Sequence, residues 1–189
     1  MEQLIQEFSL ERVGKSGAVF NVDKLNWLNQ QHIKIKSNEE LARLIKPHIQ
    51  KEGWTNIEDQ YLLKVIGLMK ERLTFPQDFI EMSRYFFLDP KSFDEAGFKK
   101  NWESESGERL KLFADRLEVL PEYIHESIEV ALRKLSEELL IKPSKLIHPV
   151  RLALSGRTIG PGLFEMMELL GKETVIRRLL YAAHKFKTE

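Results

Sequence analysis

The chain has 189 residues, enough for one full domain or two small ones, and 42% hydrophobic with 31% charged residues exclude the disordered and membrane classes. Twenty-nine basic residues against 29 acidic ones leave no net charge, which removes the simplest case for a surface that binds nucleic acid everywhere. The absence of cysteine excludes disulfides, thiolate zinc sites and cysteine nucleophiles.

The first seven residues are acidic and polar without a signal-peptide layout, and no apolar run approaches the roughly 20 residues of a bilayer span. A soluble, cytoplasmic protein is expected. Residues 18–22 alternate like a single short strand. Ser37 and Glu40 then form a capping-box pattern, and Leu41, Leu44, Ile45 and Ile49 follow at helical spacing up to a left-handed stop at Gly53. Thr55 and Glu58 repeat the capping pattern, ahead of a stripe through Ile57, Tyr61, Leu62, Val65, Leu68, Met69 and Leu73. Residues 74–77 start a further helix, with Phe79, Ile80, Met82, Phe86 and Phe87 as buried candidates, and Asp89-Pro90 ends it.

The second half reads the same way. Leu110, Phe113, Leu117 and Leu120 make a stripe that stops before Pro121. Ile124, Ile128, Ala131, Leu132, Leu135 and Leu139 make the next, which stops before Pro143. Residues 146–154 are apolar, with a kink or break expected at Pro149. Residues 157–162 are a loop by their glycine and proline, residues 163–170 a short helix closed by Gly171, and residues 172–186 the last helix. An all-α architecture follows, with its weakest seam at residues 89–100, where breakers and charge cluster.

The neutral total conceals an uneven spread: residues 91–141 hold 12 acidic and 8 basic side chains, whereas residues 142–189 hold 9 basic and 4 acidic. That positive end suits either a solvated face or a phosphate partner. Little catalytic chemistry is available. His32, His48, His125, His148 and His184 are scattered without metal-ligand spacing, and no phosphate-loop or nucleophile-elbow motif is present. Neighbouring acids such as Glu137 and Glu138 diverge by about 100° on a helix and do not converge on one bond. No catalytic or metal-binding residue is assigned.

Two segments are more specific. Residues 8–29, FSLERVGKSGAVFNVDKLNWLN, resemble the stretch that follows the catalytic domain in bacterial glutamyl-tRNA synthetases. Residues 152–165, LALSGRTIGPGLFE, resemble the anticodon-binding loop of the same family. Their order and separation match as well, whereas the family's two class I nucleotide-binding signatures are missing. The resemblance therefore implies a C-terminal part of such an enzyme: residues 1–35 as the tail of its stem-contact region, and residues 36–92 and 93–189 as two helical anticodon-binding subdomains. It implies no catalysis and no cofactor in this chain, with ATP and magnesium used by the parent enzyme's catalytic domain. The implied partner is tRNA(Glu), bound by a monomer away from membranes. A paralogue that charges tRNA(Gln), or both tRNAs, stays open, as does a helical protein-interaction adaptor.

The resemblance also assigns residues. Arg72 matches an arginine that helps read the third anticodon base, a task suited to a guanidinium fork with parallel donors; the alternative is a helix-end cation favoured by the macrodipole. Arg151 and Arg157 flank the segment entering the loop, with loop stabilisation as the alternative role for Arg157. Gly160, Pro161 and Leu163 match loop residues that approach bases through backbone groups and apolar contact. Many relatives carry threonine or serine where Gly160 stands, so one hydroxyl is absent here. Lys15, Lys24, Lys142 and Lys145 are candidates for backbone phosphates. Phe164, Met166 and Met167 read as core, and Trp27 as packing against Leu28 and the next helix.

Overall fold

The computed structural model describes residues 2–9, 17 and 19–186. It begins with α1 (Glu2–Glu7) and α2 (Val22–Ile35). Helix α2 corrects the strand expected at residues 18–22, of which Ala18 lies outside the described residues. Asn21 caps a helix there, its side chain accepting from the Lys24 amide at 2.9 Å. Satisfying an orphan helix amide outweighs a brief alternation that has no partner strand among the described residues. Only Ile33 of α2 is buried; Trp27 is 56% exposed and Leu28 40%, so the packing expected of this pair is corrected too.

Helix α3 (Asn38–Lys51) starts with the expected capping box: the Glu40 amide donates to Ser37 Oγ at 3.2 Å, and the Ser37 amide to Glu40 Oε2 at 2.8 Å. Helix α4 (Asp59–Met69) starts later than the second capping pattern suggests. Its N-cap is Glu58 without a side-chain bond, and Asn56 adopts φ 60, a left-handed turn that delays helix entry. A 3₁₀ turn (Lys70–Arg72) extends α4. Helix α5 (Asp78–Ser83) follows, with a second 3₁₀ turn at Arg84–Phe86.

The remaining helices are α6 (Glu95–Asn101), α7 (Ser106–Glu118), α8 (His125–Glu138), α9 (Ser144–Ser155), α10 (Leu163–Leu170) and α11 (Lys172–Lys185). Helix α9 passes unbroken through Pro149, against expectation. The missing amide costs one helix bond, and burial of Leu146, Val150, Leu152, Ala153 and Leu154 on the same helix offsets it. Met166 and Met167 are fully buried, as expected for core.

Helix α11 packs along α7 and α9, α10 against α8, and α3 against α4, while α4 also touches α10. The buried apolar residues form one connected cluster from Ile33 to Ala183. Phe79 and Phe113 are its largest fully buried side chains, and truncating either to alanine costs about 3–5 kcal/mol. A polar clamp accompanies this core. Buried Arg178 on α11 donates to Asp89 at 2.9 Å and to the carbonyls of Tyr85 and Leu154 at 2.8 Å, tying the chain after α5 to the end of α9. Among the described residues, no helix is long and apolar enough to cross a membrane.

Candidate functional site

The loop between α9 and α10 owes its shape to its own sequence. Gly156 ends α9 at φ 72, and its amide donates to Leu152 O at 2.8 Å. A Cβ at Gly156 would lie 2.4 Å from the Ser92 carbonyl oxygen, so only glycine suits both the left-handed turn and the close approach. The Gly156 carbonyl in turn accepts from the Asp94 amide at 2.8 Å. Thr158 Oγ1 donates to Asp94 Oδ2 at 3.0 Å, while Asp94 Oδ1 accepts from the Gly97 amide at 2.9 Å. These donors, the Gly97 amide first and Thr158 second, hold the Asp94 carboxyl below its ordinary range. The start of α6 is thereby stapled to the loop.

Around this loop the structure brings together residues far apart in sequence. Arg72, Arg157 and Gly160 line one open hollow of about 320 Å³, with Met69, Met82 and Thr158. Exposed Arg72, at the end of its 3₁₀ turn, has no hydrogen-bond or ion-pair partner among the described residues. Arg157 pairs with Glu81 at 2.8 Å, an exposed contact worth about 0–1 kcal/mol. Arg151, one wall away, donates from Nη1 to the Pro161 carbonyl at 2.7 Å. A Cβ at Gly160 would stand 3.0 Å from that same Nη1, so a threonine or serine there would press on Arg151. Burial pushes the Arg151 guanidinium below its ordinary range, and the positive charge of Arg72 adds to the effect.

Beneath the hollow lies a residue that sequence reading missed. Tyr85 is buried, with its hydroxyl 3.8 Å from Met69 Sδ. Burial pushes its phenol up to about 12, opposed by the charges of Arg151, Arg157 and Arg72. Tyr85 therefore stays protonated at neutral pH, a neutral floor under three cations. Its sequence signal was a place in the aromatic run at 85–87, where only the two phenylalanines were read as core. Asp94 and Thr158 were missed as well, because their partnership spans the interval from 94 to 158 and no local pattern announces it.

The other predicted residues lie elsewhere. Pro161 is buried, and Leu163 is only 5% exposed with its side chain in the core, so backbone groups are what these two offer the loop surface. Lys24 is exposed in the first turn of α2, and Lys15 lies outside the described residues. Lys142 is exposed ahead of α9, whereas Lys145 is engaged by Glu103, whose carboxyl it holds below the ordinary range. Both lie at the end of α9 remote from the loop, roughly 16 Å along the axis at 1.5 Å per residue. Among the described residues, no group of three acids or histidines is placed to hold a metal ion. The hollow offers the unpaired fork of Arg72, the ion-paired Arg157 and soft methionine walls.

Known proteins match this arrangement. The sequence model of the anticodon binding domain family matches residues 40–183. A glutamate–tRNA ligase of Pelodictyon phaeoclathratiforme is 45% identical across 98% of this chain, which covers 39% of that relative. The glutamate–tRNA ligase of Prosthecochloris aestuarii is 44% identical across 95% of the chain, covering 37% of its length. Among solved structures, a glutamate tRNA ligase from Elizabethkingia meningosepticum in complex with its amino acid superposes with TM-score 0.89 at 35% identity, over 98% of this chain and 37% of that one. The chain thus spans under two fifths of the relatives it matches.

Proposed function

We propose that this chain, which belongs to the anticodon binding domain family, holds the anticodon arm of tRNA(Glu) for a class I glutamate–tRNA ligase. The catalytic steps, in which glutamate is activated with ATP and joined to the tRNA, fall to sequence outside this chain. ATP and magnesium belong to those steps, and no step runs through either here. The observation that carries the reading is the joint one: the family match spans the loop at 156–162, and that loop forms the rim of a hollow flanked by Arg72, Arg151 and Arg157.

Anticodon bases are unpaired, so their edges and faces are open to donors. Arg72 has its whole fork available and reads a base edge. Arg151 sets the loop backbone through Pro161, and Arg157 and Thr158 complete the rim. Lys24 and Lys142 meet backbone phosphate, with Lys145 available only in exchange for Glu103. The same proposal treats residues 1–35 as a stem-contact tail, 36–92 and 93–189 as two helical subdomains, and the parent as a cytoplasmic monomer. The glycine at 160 keeps tRNA(Gln) in play as a second substrate, because no hydroxyl reaches out from that position.

The test is binding of tRNA(Glu) transcript to the purified chain across a salt series. Specific binding with a log–log salt slope of about −2 or steeper, weakened by altered anticodon bases, supports the reading. Absence of any salt-dependent affinity overturns it in favour of a protein-interaction module.

A further inference from the structure

Lys185, at the end of α11, sits over three aromatic rings, 4.9 Å from the centroid of Phe93, 5.5 Å from Tyr181 and 5.6 Å from Phe186. Phe186 meets Phe93 edge-on at 4.9 Å and Phe98 at 4.6 Å. These phenylalanines floor a hollow of about 370 Å³ whose rim carries Lys91, Lys99 and Lys185. None of the three lysines has an ion-pair partner among the described residues, and Glu95 is the single acid on the rim. Elsewhere on the surface several basic side chains are matched by acids, as with Arg116 and Glu138 or Lys46 and Asp59; here three unmatched ones share one rim. Three uncompensated ammonium groups around an aromatic floor suit a partner that is both a polyanion and a carrier of flat rings.

Position identifies the partner further. Asp94 lines the arginine hollow, while its chain neighbours Phe93 and Glu95 line this one. The Asp94–Gly156 backbone bond and the Thr158–Asp94 bond hold the two hollows together. We infer that the lysine–phenylalanine patch is a second RNA-binding surface, which takes backbone phosphates and one unpaired base of the strand that enters or leaves the arginine hollow. The inference rests on the tRNA-binding reading. An acidic peptide would answer the lysines but makes no use of the rings. The cation–π contact that parks Lys185 over Phe93 is weak at an exposed site, so the ammonium group swings to a phosphate as a base takes its place on the ring.

The experiment titrates an anticodon stem-loop RNA against the chain, its Lys91→Ala/Lys99→Ala/Lys185→Ala triple variant, and Phe93→Leu. At about 0.1 M salt the triple variant binds roughly fivefold more weakly for each phosphate it no longer neutralises, with the salt slope flattened by about 0.7 per phosphate. The weakening is equal for stem-loops with native and altered anticodons. Phe93→Leu keeps apolar packing against Phe186 but removes the π-face. It weakens stem-loop binding roughly fivefold or more and leaves binding of a blunt RNA duplex unchanged. Thermal melts of both variants confirm the fold. A triple variant that binds like wild type overturns the inference and leaves the tRNA reading standing; a wild-type chain that binds no RNA overturns that reading itself. Displacement of RNA by poly-glutamate, with Phe93→Leu silent, assigns the patch to acidic protein segments and also overturns the inference.

Discussion

Arg151 Nη1 donates to the Pro161 carbonyl at 2.7 Å, so one side chain from the middle of α9 fixes the residue that leads into α10. The carbonyl belongs to a buried residue, and the guanidinium is itself pushed down by burial. A cation this desolvated is kept because the loop needs it. Its side-chain hydrogen bond goes to the loop backbone, so its first task is to set the loop's shape.

Arg151→Met retains length and apolar contact but leaves the Pro161 carbonyl without its donor. The expected loss is about 1.5–3 kcal/mol of stability, the range for a hydrogen bond to a charged group. Urea unfolding reads it as a lower midpoint at unchanged slope. An unaltered midpoint would show that the loop holds without Arg151.

Arg72 is the complementary case, exposed and without a bonded partner among the described residues. Arg72→Gln therefore leaves stability within about 0.5 kcal/mol. In the parent enzyme it narrows the preference for tRNA(Glu) over tRNA(Gln), since a glutamine amide satisfies either of two pyrimidine edges by rotating. The loss of discrimination is about 1–3 kcal/mol, read as the ratio of kcat/KM for the two tRNAs. A constant ratio makes Arg72 a helix-end cation and removes it from the site.

Two glycines separate strain from crowding. Gly53 (φ 71) and Gly156 (φ 72) share a conformation, but a Cβ at Gly53 meets nothing within 4 Å, whereas one at Gly156 meets Ser92 O at 2.4 Å. Gly53→Ala costs the left-handed penalty alone, about 1–2 kcal/mol. Gly156→Ala adds a collision with backbone and costs about 3 kcal/mol or more, together with RNA affinity. Equal midpoints for the two variants would refute the contact between the loop and residue 92.

The clamp at Asp89 predicts an acid limb. Its carboxyl is held at about 2, against an ordinary 3.8, by the Arg177 fork first and Arg178 second. A lowered acid contributes its full stability above the unfolded value and loses it as pH falls through the folded one, here between about 4 and 2. Asp89 is 53% exposed, so solvent screening trims that contribution to about 1 kcal/mol. Asp89→Asn flattens this limb of the urea midpoint against pH. Arg178→Met flattens it only in part, because the Arg177 fork remains, and costs about 2–6 kcal/mol at neutral pH, because it strips the donor from buried carbonyls of Tyr85 and Leu154. An unchanged limb in Asp89→Asn would place the acid sensitivity elsewhere.

Local chemistry made much of the fold readable. The Ser37 cap, the stripes of α3, α4, α7 and α8, and the stops at Gly53 and Gly171 are each decided within a few residues, where amide satisfaction and 3.6-residue periodicity act. The same short range explains the misreadings. Residues 18–22 alternate, but among the described residues there is no partner strand, and α2 hides its helix because Val22, Leu25, Trp27 and Leu28 point into solvent instead of marking a buried stripe. Pro149 breaks a helix by local rules, yet the burial of α9 on neighbours distant in sequence outweighs one missing bond.

By itself, then, the sequence determined the helical class, most helix ends and the loop at 157–162, and its resemblance pointed to the arginines around that loop. Tertiary structure alone decided which of them meet. Arg72 and Arg157 share a hollow although 85 positions separate them, Tyr85 lies beneath their charges, and Asp94 reaches Thr158. It also decided which candidates stand apart, as Lys145 does beside Glu103. The physical reason is range: capping and periodicity act over one or two helical turns, whereas a site is made by packed helices that bring remote side chains within a few ångströms.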